Sequence, residues 1–314
     1  MKLAFMVSNR GFFPSTVIEA AYADMRLAAE KAGVELLEIE QGKVRFGAVE
    51  TTQEGAIYHG FLQAHRGEYD GVVLCLPNFG DENGIKAALR DIDVPLLLQA
   101  YPDEIGKMDF ENRRDAFCGK LGLCAVFKQI GMKFTTGKPF VMHPLSGEFA
   151  RELSGFVSVC RTVKRLRHAR LGVFGARTTA FKSVRYDEAA MERLGCDVES
   201  IDLSQVFAKF EEINPGSPEA ARFMDDIRRT GNCSSVPEQA VSNLAVLGAT
   251  LQSFVEDMQL DAIAVPTSAT CCLANARWMP HWRHAHCCMT GSRWTGTNTR
   301  WMPLISAASA CPGS

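Results

Sequence analysis

Two short apolar segments constrain the fold of this chain most strongly. Val72–Leu76 and Pro95–Gln99 each end abruptly in polar, turn-forming residues. Short apolar segments bounded by turn residues are typical of buried strands in a parallel sheet. In open α/β sheets, ligands bind outside the carboxyl ends of such strands. We therefore expect Asn78, Gln99 and Tyr101 to face one crevice at this edge of the sheet.

The rest of the chain continues the alternation of strand and helix patterns. Leu3–Val7 and Val34–Ile39 are predicted strands on either side of a helix that begins near Ser15 and ends before Gly33. The alternation predicts α/β architecture, with a doubly wound parallel sheet in the first part of the chain and a second α/β unit after it. We place the first domain at residues 1–140 and a second α/β domain, with an incomplete sheet, at residues 141–265.

The composition excludes several classes of protein. The net charge of −2 over 314 residues gives no reason to expect a nucleic-acid partner. No stretch of about 18 apolar residues is present, so no membrane-spanning helix is predicted. The first apolar segment stops at Ser8, which is too short for a secretion signal. We therefore expect a cytoplasmic protein.

The last 49 residues, 266–314, differ in character from the rest. They contain no Asp, Glu or Lys but hold all four Trp residues and three of the seven His residues. One interpretation is a soft metal site built from Cys271, Cys272, His281, His284, His286, Cys287 and Cys288, although their spacing fits no zinc pattern. The other interpretations are a frame-shifted or unrelated end, which we favour, and a disordered tail.

Two basic segments could contact a ligand. Arg10 follows the first predicted strand, where a guanidinium could bind hydroxyls or an anion, although it could also be a surface residue before a helix. Arg113 and Arg114 open a predicted helix over Asn112–Ile130. Basic residues at a helix start oppose the helix dipole, so they indicate a polyol or anionic ligand, an intersubunit salt bridge, or a helix that begins later.

Taken together, several motifs resemble the L-fucose/L-arabinose isomerase family, and especially its less characterised branch. The resemblance covers residues 1–265 and rests on the segments NRGFFP, LPNFGDE, QAYPDE, NRRDAFCGK, LGVFGAR, VRYDE and DLSQVF. It implies two Rossmann-like domains followed by a third, barrel-containing domain. It also implies aldose–ketose isomerisation through an enediol, assisted by Mn²⁺, in a homo-oligomer that is a trimer or hexamer.

The resemblance also implies candidate sugar contacts. The segment around Cys118 and Lys120 matches a sugar-contacting loop of the family, and Arg10, Gln99 and Lys120 are candidates for hydroxyl contacts. The family's metal-binding glutamate follows the strand that corresponds to Asp261–Val265. Here no acidic residue follows Val265, so no metal ligand is carried over.

We therefore expect a truncated isomerase that is inactive as this chain and lacks the third domain. A sugar-binding or regulatory α/β module without catalysis is the alternative. A nucleotide-dependent oxidoreductase is disfavoured because the glycine pattern at Gly172–Gly175 is incomplete.

Overall fold

The computed structural model describes residues 1–177 and 182–265, and it confirms the predicted α/β class with parallel sheets. The chain divides into two compact units, the first over Met1–Arg165 and the second beginning at Leu166. This division falls later in the chain than the boundary expected at residue 140. Among the described residues, no helix is long and apolar enough to cross a membrane.

The first unit is built on a parallel sheet with helices on both faces. Its strands and helices are β1 (Lys2–Ser8), α1 (Thr16–Lys31), β2 (Glu35–Leu37), β3 (Ala48–Val49), α2 (Thr52–Ala64), β4 (Val72–Leu76), α3 (Glu82–Ala88), β5 (Leu96–Ala100), α4 (Ala116–Gln129), β6 (Thr135–Thr136) and α5 (Gly147–Leu166). The strand order is β2-β1-β4-β5-β6, and β3 pairs with the end of β1.

Alternate residues of the strands supply two separate cores, because successive side chains point to opposite faces. On β1, Phe5 and Val7 pack with α1 and α5, whereas Ala4 and Met6 pack with the cluster that contains α2, α3 and α4. Both faces are buried, which explains why β4 is apolar throughout.

Local signals explain several helix boundaries. The Thr51 hydroxyl accepts from the Glu54 backbone N–H at the start of α2, and the Asp81 carboxylate accepts from the Gly84 N–H at the start of α3. The helix predicted from Asn112 begins later, at Ala116, because Asp115 takes a left-handed conformation with φ of 49°. Arg113 and Arg114 therefore precede α4 and do not oppose its dipole.

The second unit contains a three-stranded parallel sheet in the order β8-β7-β9, surrounded by helices. Its elements are β7 (Arg170–Phe174), α6 (Glu188–Arg193), β8 (Asp197–Ile201), α7 (Leu203–Glu212), α8 (Pro218–Thr230), α9 (Glu238–Asp257) and β9 (Ala262–Ala264). Phe174, Ile201 and Val206 pack against α9 and form a hydrophobic core of the second unit.

Candidate functional site

The strand order of the first sheet identifies the edge at which a ligand would bind. After β1 the chain first moves to β2 on one side and later returns to β4 on the other side. Such a switch point opens a crevice outside the carboxyl ends of the two strands. Asn9 and Arg10 follow β1 at this edge, and Asn78 and Phe79 follow β4.

A buried amide network ties the loops of this edge together. The Asn78 side-chain amide donates to the Asn9 side-chain oxygen and, at 3.3 Å, to the Pro14 carbonyl. The Asn9 amide in turn donates to the Glu50 carboxylate. Asn9 and Asn78 are both almost completely buried. Because each amide joins a different strand end, the network holds the loops after β1, β3 and β4 in one arrangement.

Sequence reasoning singled out Asn78 but missed Asn9 and Glu50. Asn9 follows an apolar strand directly, as Asn78 does, so the same signal could have found it. Glu50 follows β3, which has only two residues and gives no readable strand pattern.

Arg10 lies on an aromatic surface at the same edge. Its guanidinium carbon is 4.7 Å from the ring centre of Phe79 and 5.4 Å from that of Phe12. Phe13 packs beside Phe79, with ring centres 5.8 Å apart. We call Arg10, Phe12, Phe13 and Phe79 the Arg10 shelf. Within residues 1–177 and 182–265, no carboxylate pairs with the Arg10 guanidinium, although its side chain is only partly exposed.

Two further arginines approach this edge, and both have acidic partners. The Arg113 guanidinium lies 5.1 Å from the Phe13 ring centre, and its Nε is 3.6 Å from the Asp115 carboxylate. Arg114 donates to the Pro77 carbonyl at 3.0 Å and contacts the Glu104 carboxylate at 3.4 Å. Arg114 therefore fixes the segment before α4 to the end of β4, and Arg113 packs the same segment against the loop after β1.

Tyr101 is buried after β5 and joins a separate polar cluster. Its hydroxyl donates to the Asp24 carboxylate at 2.9 Å, and the same carboxylate oxygen is 3.3 Å from Nε2 of His143. The Arg114 guanidinium lies over the Tyr101 ring, with 4.6 Å to its centre. Burial raises the pKa of Tyr101 well above its usual value, so the hydroxyl stays protonated and acts as a donor.

Gln99 and Lys120 bind the connector between β6 and α5. The Gln99 amide donates to the Met142 carbonyl at 2.8 Å, and the Lys120 ammonium donates to the Phe140 carbonyl at 2.6 Å. Both side chains are about 1% exposed. Burial lowers the pKa of Lys120 to about 8. The Gln99 side-chain oxygen has no partner among the described residues.

The six residues predicted as sugar contacts thus fall into separate places. Arg10 and Asn78 lie together at the switch point, and Arg114 links that edge to Tyr101. Asn78, Gln99 and Tyr101 bond to different partners, and the single crevice expected for them stays a prediction. Cys118 is an exposed free thiol in the first turn of α4.

The described residues do not offer a site that fits a metal ion. Across residues 1–177 and 182–265, no group of three or more His, Cys, Asp or Glu side chains converges as a metal would require. The Mn²⁺ implied by the resemblance therefore has no ligand set in this part of the chain. The Cys and His residues considered as a soft metal site, from Cys271 to Cys288, lie outside the described residues.

A comparison with known protein families agrees with the resemblance. The family described as fucose/sulfoquinovose isomerase, N-terminal domain, matches residues 4–167. A search of curated proteins gave no match. The matched region runs from within β1 to the end of α5 and includes the switch point and the Arg10 shelf. Since it covers more than half of the sequence, the chain belongs to the fucose/sulfoquinovose isomerase family.

Proposed function

We propose that the first unit, Met1–Arg165, forms part of a sugar-binding site of the aldose–ketose isomerase type, and that this chain binds the sugar without converting it. The proposal rests on the position of Arg10. Its guanidinium lies on aromatic rings at the switch point and has no acidic partner among the described residues. Family membership supports a sugar as the ligand.

The chemistry of the Arg10 shelf suits a sugar. A guanidinium has five N–H donors and no acceptor, so it can donate to hydroxyl or carbonyl oxygens in a fixed geometry. Aromatic faces such as those of Phe12 and Phe79 can pack against the apolar C–H groups of a sugar ring. The amide network through Asn9 and Asn78 fixes both loops before a ligand arrives, which reduces the entropy lost on binding.

The first test is calorimetric titration of the full chain with L-fucose and L-arabinose. We expect Arg10→Ala to weaken sugar binding by about tenfold or more, because charge-assisted hydrogen bonds are lost. The matched control is Arg26→Ala. Arg26 also lies over an aromatic ring, Tyr22, but its guanidinium pairs with Glu38 on an exposed helix face. Equal affinities for the Arg10 and Arg26 variants would contradict the proposed role of the shelf.

We also propose that this chain binds a sugar without catalysing its isomerisation. It is supported by the position of the acidic residues, all 36 of which precede residue 266. Carboxylates both hold hard cations and transfer protons in isomerisation. Among the described residues they do not converge in a group of three or more that could hold a metal ion. We expect no aldose–ketose conversion in the presence of Mn²⁺. Measurable turnover by the purified chain would contradict this part of the proposal and favour an active isomerase over a binding module.

A further inference from the structure

A buried carboxylate lies at one end of the amide network at the switch point. Glu50 follows β3, and its side chain is 5% exposed. One of its carboxylate oxygens accepts from the Asn9 amide nitrogen, and the Asn9 side-chain oxygen accepts from the Asn78 amide nitrogen. The Asn78 side-chain oxygen then accepts from the Gly80 backbone N–H at 3.3 Å. We call this continuous chain of bonds, from Glu50 through Asn9 and Asn78 to Gly80, the Glu50 relay.

The carboxylate gives the Glu50 relay its direction. An ionised carboxylate only accepts hydrogen bonds, whereas a side-chain amide donates from its nitrogen and accepts at its oxygen. The Asn9 nitrogen therefore faces Glu50, which leaves the Asn9 oxygen for Asn78. If either amide were reversed, two oxygens or two nitrogens would face each other away from water. The Pro14 carbonyl, 3.3 Å from the Asn78 nitrogen, favours the same direction, but a hydrogen bond to an ionised group is the stronger of the two.

The Glu50 relay holds the backbone next to both residues of the contact between Arg10 and Phe79. Asn9 immediately precedes Arg10, and Asn78 and Gly80 flank Phe79 in the chain. Gly80 has a φ of 78°, in the left-handed region that favours glycine, so the backbone turns sharply there. The Arg10 guanidinium carbon lies 4.7 Å from the Phe79 ring centre. The bonds of the relay therefore set how these two side chains meet.

We propose that Glu50 is a positioning residue for sugar binding, because it orients the two amides that hold Arg10 and Phe79 in place. The inference rests on the proposed sugar-binding function and assigns a role in it to a residue that does not itself contact the sugar. Removal of the carboxylate would leave the Asn9 amide nitrogen buried without an acceptor, and the loops after β1 and β4 would lose their fixed arrangement. A sugar would then lose more entropy on binding, since it would have to order these loops.

The test is calorimetric titration of the full chain and its variants with L-fucose and L-arabinose. We expect Glu50→Ala to weaken sugar binding about tenfold and Glu50→Gln to stay within about threefold of the wild type, because the glutamine oxygen can accept the same bond. The matched control is Asp70→Ala. The Asp70 carboxylate is also mostly buried, 11% exposed and paired with Lys164, but it precedes β4 at the opposite edge of the sheet. Asp70→Ala should leave the sugar affinity unchanged.

A double-mutant cycle with Arg10→Ala measures whether Glu50 acts through the Arg10 shelf. If it does, adding Glu50→Ala to Arg10→Ala should weaken binding by less than about threefold further, whereas independent effects would multiply. If Glu50→Ala does not fold, as urea denaturation would show, Glu50→Leu takes its place, because leucine fills most of the same space and cannot accept a hydrogen bond.

The outcomes separate this inference from the proposed function. Sugar affinity in Glu50→Ala equal to that of the wild type, or effects that multiply in the cycle, overturn the inference and leave the sugar-binding proposal standing. A loss of affinity in Glu50→Gln well beyond about threefold also overturns the inference, since the acceptor is still present. If neither sugar binds to the wild type, or if Arg10→Ala binds as tightly as the wild type, the sugar-binding proposal falls and the inference falls with it.

Discussion

At the scale of single residues, Lys120 shows how burial connects charge to stability. Its ammonium is buried and donates to one carbonyl, that of Phe140, and burial lowers its pKa to about 8. The unfolded chain, with a lysine pKa near 10.4, therefore holds a proton that the folded chain releases between about pH 8 and pH 10. The burial penalty is fully present below about pH 8 and is relieved as pH rises through this range.

The free energy of unfolding should therefore depend on pH differently in the wild type and in Lys120→Met, which cannot titrate at this position. From about pH 7 to about pH 9.5, the free energy of unfolding of the wild type should gain about 1–3 kcal/mol relative to the variant. Urea denaturation at both pH values measures the difference. Lys128→Met, on the exposed side of the same helix, is the control and should show no such change. If the difference in unfolding free energy between the wild type and Lys120→Met were the same at both pH values, the lowered pKa of Lys120 would be refuted.

Gly119 illustrates a steric requirement at the same scale. A Cβ atom at this position would lie 1.8 Å from the Phe79 carbonyl oxygen, whereas at Gly155 in α5 it would meet no atom within 4 Å. Gly119→Ala should therefore lower the free energy of unfolding by about 1–3 kcal/mol or more and weaken sugar binding, because Phe79 supports Arg10. Gly155→Ala should raise it by about 0.5–1 kcal/mol. Thermal denaturation compares the stabilities of the two variants. Equal changes in stability would contradict the close approach of Gly119 to the Phe79 carbonyl.

At the scale of elements, the sequence predicted what depends on local pattern. The apolar segment Val72–Leu76 is β4 without any shift, and Leu96–Ala100 differs by one residue at each end from its predicted strand. The start of α4 was placed too early because the left-handed conformation of Asp115 has no signature in the sequence. The hydrogen-bond partners of Gln99 and Lys120 could not be predicted from the sequence either. Both side chains bond to carbonyls of the connector between β6 and α5, which is distant from them in sequence.

We predict that the first unit needs helix α5 in order to fold. Five of its side chains enter the core that contains Phe5 and Val73 of the sheet, namely Phe149, Leu153, Phe156, Val157 and Cys160. Each contributes on the order of 1.5–3 kcal/mol by burial, so together they are comparable to the whole stability of a domain. A fragment of residues 1–165 should unfold cooperatively, and a fragment of residues 1–140 should not fold. Thermal melting curves followed by circular dichroism compare the two fragments. The same cooperative transition in both would contradict the role of α5.

At the scale of the whole molecule, the alternation of strands and helices predicted the α/β class, whereas the strand order came only from the structure. That order places Arg10 and Asn78 at a switch point, and it could not be read from the chain because parallel pairing joins segments far apart in sequence. The trimer or hexamer implied by the resemblance stays a prediction, which sedimentation velocity would test.

Hydrogen exchange tests the central claim, that a sugar binds at the carboxyl edge around Arg10, most directly. The full chain is compared with and without a saturating concentration of the tightest-binding sugar. We predict slower backbone exchange in peptides that cover residues 9–14 and 77–81, because both loops contact the ligand. Protection confined to another surface, such as the groove lined by Leu37, Ile57 and Phe61, would contradict the account.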